Sequence, residues 1–169
     1  MCGISGIISL SNKKIQFLEE NLNKLNSLLH HRGPDNQDIW MSSDFRIGIA
    51  HTRLSIIDLQ KRSNQPMISN SGNVISFNGE IYNFKSLKKN LQVNYKFRTN
   101  SDTEVILAGY ELNGENFFKE LNGMFAFALW DRKKKKLFCV RDRFGIKPLY
   151  YSIIDNNFFF SSEVKALIP

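Results

Sequence analysis

Cysteine, histidine and proline are scarce in this sequence, whose 169 residues hold 2 Cys, 3 His and 4 Pro. Cys2 and Cys139 cannot build a disulfide framework, and with three histidines they give no paired spacing of a zinc site. The fold must therefore rest on its core, and a reducing cytoplasmic setting is expected. Long apolar runs are missing as well. The longest runs from Met124 to Trp130, seven residues, against the ~18 of a membrane span, and no basic segment precedes an apolar leader. Membrane-bound and secreted classes are set aside. A phosphate-binding glycine loop, internal repeats, low-complexity tracts and Pro/Ser-rich linkers are also lacking.

Hydrophobic residues, by contrast, make up 42% of the chain, enough for one domain that buries about two-thirds of its unfolded surface. The formal net charge of +7 invites a nucleic-acid reading. Four of those charges form one run, Lys133 to Lys136, at an expected hairpin turn, and no base-stacking or glycine-clamp motif accompanies them. A solvated turn is favoured, and no nucleic-acid partner is expected.

Gly3 to Leu10 reads as a buried N-terminal strand. Ile15, Leu18, Leu22, Leu25 and Leu29 line one face of a helix that must stop before Gly33-Pro34. Strands follow at Arg46 to Ala50 and Val74 to Phe77, and Ser101 with Glu104 has the capping-box spacing of a helix start. The final third reads as a meander of strands at Phe125–Trp130, Leu137–Arg141, Leu149–Ile153 and Phe158–Ser161, closed by a short helix at Ser162 to Leu167. The fold class is α+β, with strands in bulk and segregated helices.

Cys2 is the most informative position. Loss of Met1, favoured by the small residues that follow it, leaves a thiol and a free α-amine on one residue. An α-amine titrates near 7.7–8.0, so a sizeable fraction accepts a proton at neutral pH, and nucleophile and base coincide. A cysteine after the initiator by chance is the competing account. Attack on a carbonyl also requires donors for an oxyanion, typically a backbone N–H beside an amide side chain. Asn78-Gly79 at the end of a strand offers both, although Asn-Gly by itself is more often a hairpin turn.

Five motifs occur in one order: Cys2-Gly3-Ile4, His31-Arg32-Gly33-Pro34-Asp35, His51-Thr52-Arg53-Leu54-Ser55-Ile56, Asn78-Gly79-Glu80-Ile81-Tyr82-Asn83 and Ser101-Asp102-Thr103-Glu104. Together they resemble the glutaminase domain of class II glutamine amidotransferases, which are N-terminal nucleophile hydrolases. Gly123 to Ala128, Arg141 to Tyr151 and Ser161 to Leu167 make the chain similar to the branch of glutamine-hydrolysing asparagine synthetases. The resemblance implies a four-layer αββα sandwich of two antiparallel sheets, with residue 2 at the end of a central strand.

The resemblance also implies roles. Cys2 attacks the side-chain amide of L-glutamine and forms a γ-glutamyl thioester, while Asn78 and Gly79 hold the oxyanion. Arg53, with Leu54, Ser55, Ile56 and Ile57, takes the substrate carboxylate, for which a guanidinium is well suited. Glu80 and Asp102 take the ammonium, although an acid in a first helical turn equally complements the helix dipole. His51 shares a strand face with Arg53 and is open to an orienting role; His31 reads as structural and Cys139 as a packed core residue. Ser63 stands where the family usually carries glycine, so mild strain is expected if that position needs positive φ.

No cofactor or metal is expected in this domain, taken as residues 2–169; ATP and Mg belong to the family's C-terminal synthetase domain, which is absent from this chain. The expected partner is that domain or a separate subunit, receiving ammonia to convert aspartate to asparagine. The lysine run and Phe158 to Phe160 are candidate contact faces. Two rivals stay open: the same chemistry serving another acceptor, such as a glycan-modifying amidotransferase, and a non-catalytic module that keeps the fold.

Overall fold

The computed structural model describes residues 1–167. Strand β1 (Gly3–Ser9) leads into helix α1 (Leu18–Leu29) and a 3₁₀ turn (His30–Arg32), followed by β2 (Asn36–Met41) and β3 (Ile47–Arg53). A short β4 (Met67–Ile68), the long β5 (Val74–Ile81), α2 (Phe84–Leu91) and α3 (Asp102–Asn113) come next. The chain closes with β6 (Gly123–Asp131), β7 (Lys136–Arg141), β8 (Tyr150–Ile154), β9 (Asn157–Ser161) and a 3₁₀ turn at Val164–Leu167. Among these described residues no helix is long and apolar enough to cross a membrane.

Two antiparallel sheets form, in the orders β2-β3-β1-β9-β8 and β4-β5-β6-β7. Strand alternation sends side chains to both faces of each sheet, and three apolar clusters fill the spaces this creates. Leu18, Leu22, Leu25 and Leu29 of α1 pack with Ile7 and Ala50 on the outer face of the first sheet. Val105, Ile106 and Leu107 of α3 pack with Ile75, Phe77, Phe125 and Phe127 on the outer face of the second. Between the sheets lie Ile47, Ile49, Val74, Ala128, Trp130 and Phe160. The result is the αββα sandwich, and each fully buried Leu, Ile or Phe contributes about 1.5–3 kcal/mol.

Local chemistry moves several boundaries. Helix α1 starts at Leu18 rather than Ile15 because Phe17 sits at φ 53, outside the helical region, while Ile15 still reaches the same cluster. Ser101 caps α3 by accepting from the Thr103 N–H at 3.0 Å. Glu104 does not reach back to complete a capping box. Its buried carboxylate accepts from the N–H groups of Arg98 and Thr99 and from the Thr99 hydroxyl instead.

The expected meander is overturned. β6 and β7 form a hairpin in one sheet, the lysine run at its tip, whereas β8 and β9 belong to the other. Asp142 diverts the chain between them: its carboxylate accepts from the N–H groups of Phe125, Phe144, Ile146 and Lys147, and Gly145 supplies a turn at φ 63. Cys139 is exposed rather than packed, because β7 is a sheet edge that nothing covers on that side. Phe160 is core. Ser63 lies in a 3₁₀ turn without positive φ, so the anticipated strain does not arise; in that loop it is Asp58 that adopts φ 47.

Candidate active site

The apolar layer between the sheets opens at one end into a cleft where charged and amide side chains stand among apolar ones, and alternation along three strands decides which side chains enter it. Ile4, Gly6 and Ile8 of β1 face the layer, so Cys2, two residues earlier, continues the same face at the rim. Ile47 and Ile49 of β3 give way to His51 and then Arg53, and Val74 and Ser76 of β5 to Asn78 and Glu80. The cleft encloses about 640 Å³ when the open space at its mouth is counted.

Cys2 is held tightly for a residue so close to a terminus. Its sulfur accepts from the Leu54 N–H at 3.4 Å, and its carbonyl accepts from Arg32 Nε at 3.0 Å. Arg32 is fixed in turn by Glu163 at 2.8 Å, and Ser162 pairs with both the N–H and the carbonyl of Ile4. Partial burial pushes the Glu163 carboxyl up, but hydrogen bonds from Arg32, His31 and Lys165 outweigh it and hold it at about 2. Burial pushes the Cys2 thiol up, against the Leu54 hydrogen bond, the N-terminal charge and Arg53, which pull it down; Asp102 adds to the rise. A thiol raised in this way is protonated at neutral pH and needs a base before it can attack.

Asn78 and Gly79 lie inside β5 and not in a hairpin turn, paired with Ala126 and Phe125 of β6. Asn78 is 1% exposed and its Nδ2 has no partner among the described residues. A buried amide donor left this way costs about 1–3 kcal/mol, which a ligand oxygen would recover. The Phe77 N–H donates to Gln65 Oε1 at 2.7 Å and the Ile81 N–H to Asp102 Oδ2 at 3.1 Å. By ladder alternation the Gly79 N–H between them points the same way, off the edge that β4 leaves unpaired beyond Ile75. Only glycine fits there: a Cβ would stand 2.3 Å from the Met124 carbonyl oxygen.

Arg53 is 5% exposed and donates to Asn64 Oδ1 and the Asp58 carbonyl at 2.6 Å each, with longer bonds to Gln60 and Ile57. All four partners are neutral, so the guanidinium keeps its positive charge for an anion while it braces the loop from Leu54 to Asn64. Leu54, Ile56 and Ile57 of that loop line the cleft. Ser55 does not; its N–H donates outward to Asp35 Oδ2 at 2.7 Å. Across the cleft Asp102, the first residue of α3, is pushed up to about 6 by burial against its backbone hydrogen bonds, with Glu80 adding to the rise. Glu80 is exposed at the rim.

His51 stays behind the cleft, fully buried, with Nε2 3.1 Å from the Phe77 carbonyl. A carbonyl only accepts, so Nε2 carries the proton. Burial holds the ring at about 4, hence neutral, and it ties β3 to β5 just before Asn78. His31 bonds Glu163 at 3.0 Å, outside the cleft.

Sequence reasoning gave no role to Arg32, Gln65, Lys147 or Glu163. Arg32, Lys147 and Glu163 lie in the quoted segments, but Arg32 and Glu163 are 131 residues apart and no periodicity pairs them. Lys147, 7% exposed, enters the cleft and places Nζ 3.2 Å from Met1 Sδ.

Comparison with known proteins agrees with this geometry. The chain is 43% identical over 169 residues to asparagine synthetase [glutamine-hydrolyzing] 2 of Bacillus subtilis, covering 99% of this chain and 22% of the relative. It is 39% identical to asparagine synthetase B [glutamine-hydrolyzing] of Escherichia coli, covering 100% of this chain and 30% of the relative. An amidase, chry2, of Gibberella zeae is 39% identical, covering 99% of this chain and 26% of its own length. The chain thus spans about a third or less of these curated relatives. In fold it matches the glutamine phosphoribosylpyrophosphate amidotransferase of B. subtilis with a TM-score of 0.83 at 20% identity, covering 98% of this chain and 43% of that one. A family model described as the glutamine amidotransferase domain matches residues 1–169, from the thiol at Cys2 through the Asn78-Gly79 edge to the last strand, and the chain belongs to that family.

Proposed function

We propose that this domain hydrolyses L-glutamine to glutamate and ammonia, with Cys2 as an N-terminal nucleophile once Met1 is removed. The observation that carries the reading is the meeting, in one cleft, of a positioned thiol with an unpartnered buried amide donor at Asn78. The α-amine of Cys2 takes the thiol proton, and sulfur attacks the amide carbon. The carbonyl oxygen, now negative, accepts from Asn78 Nδ2 and the Gly79 N–H. Collapse breaks the C–N bond, the ammonium returns the proton to the leaving nitrogen, and ammonia departs from a γ-glutamyl thioester. Water, deprotonated by the same amine, then releases glutamate and restores the thiol.

Substrate orientation follows from the charges. Arg53 takes the α-carboxylate, while Asp102 and Glu80 take the α-ammonium. Burial makes the Asp102 charge costly when the cleft is empty, and an incoming ammonium relieves that cost. The ammonia serves ATP-dependent conversion of aspartate to asparagine in a synthetase domain or subunit that holds the ATP and Mg; relatives bearing the asparagine-synthetase name, three times or more the length of this chain, support this assignment. The amidase names among the relatives support a second reading, in which the same glutaminase step feeds a different acceptor.

The test is release of glutamate and ammonia in equal amounts from glutamine by the chain with Met1 loss verified by mass, beside Cys2→Ala. Hydrolysis that disappears in the variant is expected. Hydrolysis that survives it rules out the thiol, and a properly processed chain inert alone and with its synthetase partner is a binding module.

A further inference from the structure

The segment Arg141 to Tyr151 contributes no residue to the steps above, yet it is among the most tightly built parts of the cleft. Asp142 collects four backbone N–H groups, and Arg141 donates to the carbonyls of Lys147 at 2.6 Å and Gly145 at 2.5 Å. The product of this cradle is one side chain held in the cleft, Lys147. The residue is 7% exposed, and its ammonium has no acid within 4 Å among the described residues and meets only the thioether of Met1 at 3.2 Å. A buried lysine without a counter-charge is unusual, and here it lies against the residue whose departure creates the α-amine.

We propose that Lys147 is a positioning residue for the nucleophile's base: once Met1 leaves, its fixed positive charge holds the Cys2 α-amine in the neutral, proton-accepting form. Two positive charges lining one partly buried cleft disfavour each other, and the amine is the one that can discharge near neutral pH. The proposal rests on the reading of Cys2 as the N-terminal nucleophile. Other charges face the same place. Arg53 from β3 acts in the same direction, whereas Arg32, which reaches the Cys2 carbonyl from the turn after α1, has its charge offset by Glu163 at 2.8 Å; Asp102 from α3 and Glu80 from β5 oppose it, and the Cys2 thiol opposes it when ionised. Without Lys147 the acids face a smaller positive set, and the amine holds its proton to higher pH.

Because the chain has two cysteines, incorporation of ¹³Cα-labelled cysteine gives two resonances, and that of Cys2 follows the titration of its own α-amine. The Met1-free chain is compared with Lys147→Met, Lys147→Gln and Lys147→Arg. The neutral variants are expected to titrate about one pH unit higher, the scale of one unit charge in a partly screened site, and Lys147→Arg to stay with the original. The acidic limb of glutamine turnover should move by the same amount, an about tenfold loss at pH 6.5 that fades by pH 9. Identical amine titrations in all four chains overturn the proposal, as does a loss of turnover equal at every pH. The resonance is read with no substrate present, so failure of the proposal is distinguishable from failure of the glutaminase reading.

Discussion

The two walls of the cleft are built by different means. One wall is made of strand and helix ends: Cys2, Asn78, Gly79 and Asp102 take their places from ladder register and from a helix start. The other is made of loops, each organised by one charged side chain. Arg53 gathers four neutral acceptors from the loop between Ile57 and Asn64, and Asp142 gathers four N–H donors around the turn that presents Lys147. The reacting atoms sit on the rigid wall together with Asp102, whereas Arg53, the last residue of β3, and Lys147 border the loops. Preorganisation thus comes from sheet geometry where chemistry needs accuracy, and from single ions where a loop must be shaped.

That contrast makes predictions that differ in kind. On the rigid wall, Asn78→Ala removes an oxyanion donor without altering the ladder, so kcat should fall ~10²–10³-fold with KM little changed, measured by steady-state glutamate release. On the loop wall, Arg53→Met removes both the carboxylate partner and the brace for four acceptors. KM for glutamine should rise ~30–100-fold, and thermal unfolding should also shift down because four acceptors lose their donor. Asp142→Ala should lower stability by about 2 kcal/mol in denaturant unfolding, since four N–H groups lose one acceptor; if the loop wall were passive, activity would survive in the folded fraction, whereas a fall beyond the lost population is expected.

Smaller effects sharpen the division further. Asp102 titrates at about 6 in the empty cleft, so its carboxylate is lost as pH falls through that value. Glutamine binding should weaken about tenfold between pH 7 and pH 5, in KM rather than kcat, and Asp102→Asn should bind poorly and without that pH dependence. Glu163→Gln keeps an acceptor for Arg32 and should lower kcat only about threefold, equally at pH 6 and pH 9, because Glu163 titrates at about 2.

The rigid wall was also the legible one. The β-branched run after Cys2, the capping serine before Asp102 and the strand into Asn78 all leave local signals, and motif resemblance joined them into one site. The loop wall left almost none. Elsewhere in the fold the signal is weak too: β2 is half-exposed and does not alternate cleanly, β4 is two residues long, and α2 is a short lysine-rich helix whose apolar positions are few. The passage from β7 to β8 looked like a meander turn because the ability of Asp142 to divert a chain shows only when its four donors are assembled. The motif places Ser55 with its neighbours, and the bond from its N–H to Asp35 turns it away. The Glu163–Arg32–Cys2 relay joins the two ends of the chain, a contact that local sequence does not encode.

The central claim, a glutamyl thioester on Cys2 held by the Asn78-Gly79 edge, is tested most directly by acid-quenching the Met1-free chain during glutamine turnover and measuring intact and peptide mass. The account predicts one glutamyl group on the N-terminal peptide, removed by hydroxylamine and absent in Cys2→Ala. Glutamate release with an unmodified Cys2 peptide, undiminished in that variant, would contradict it.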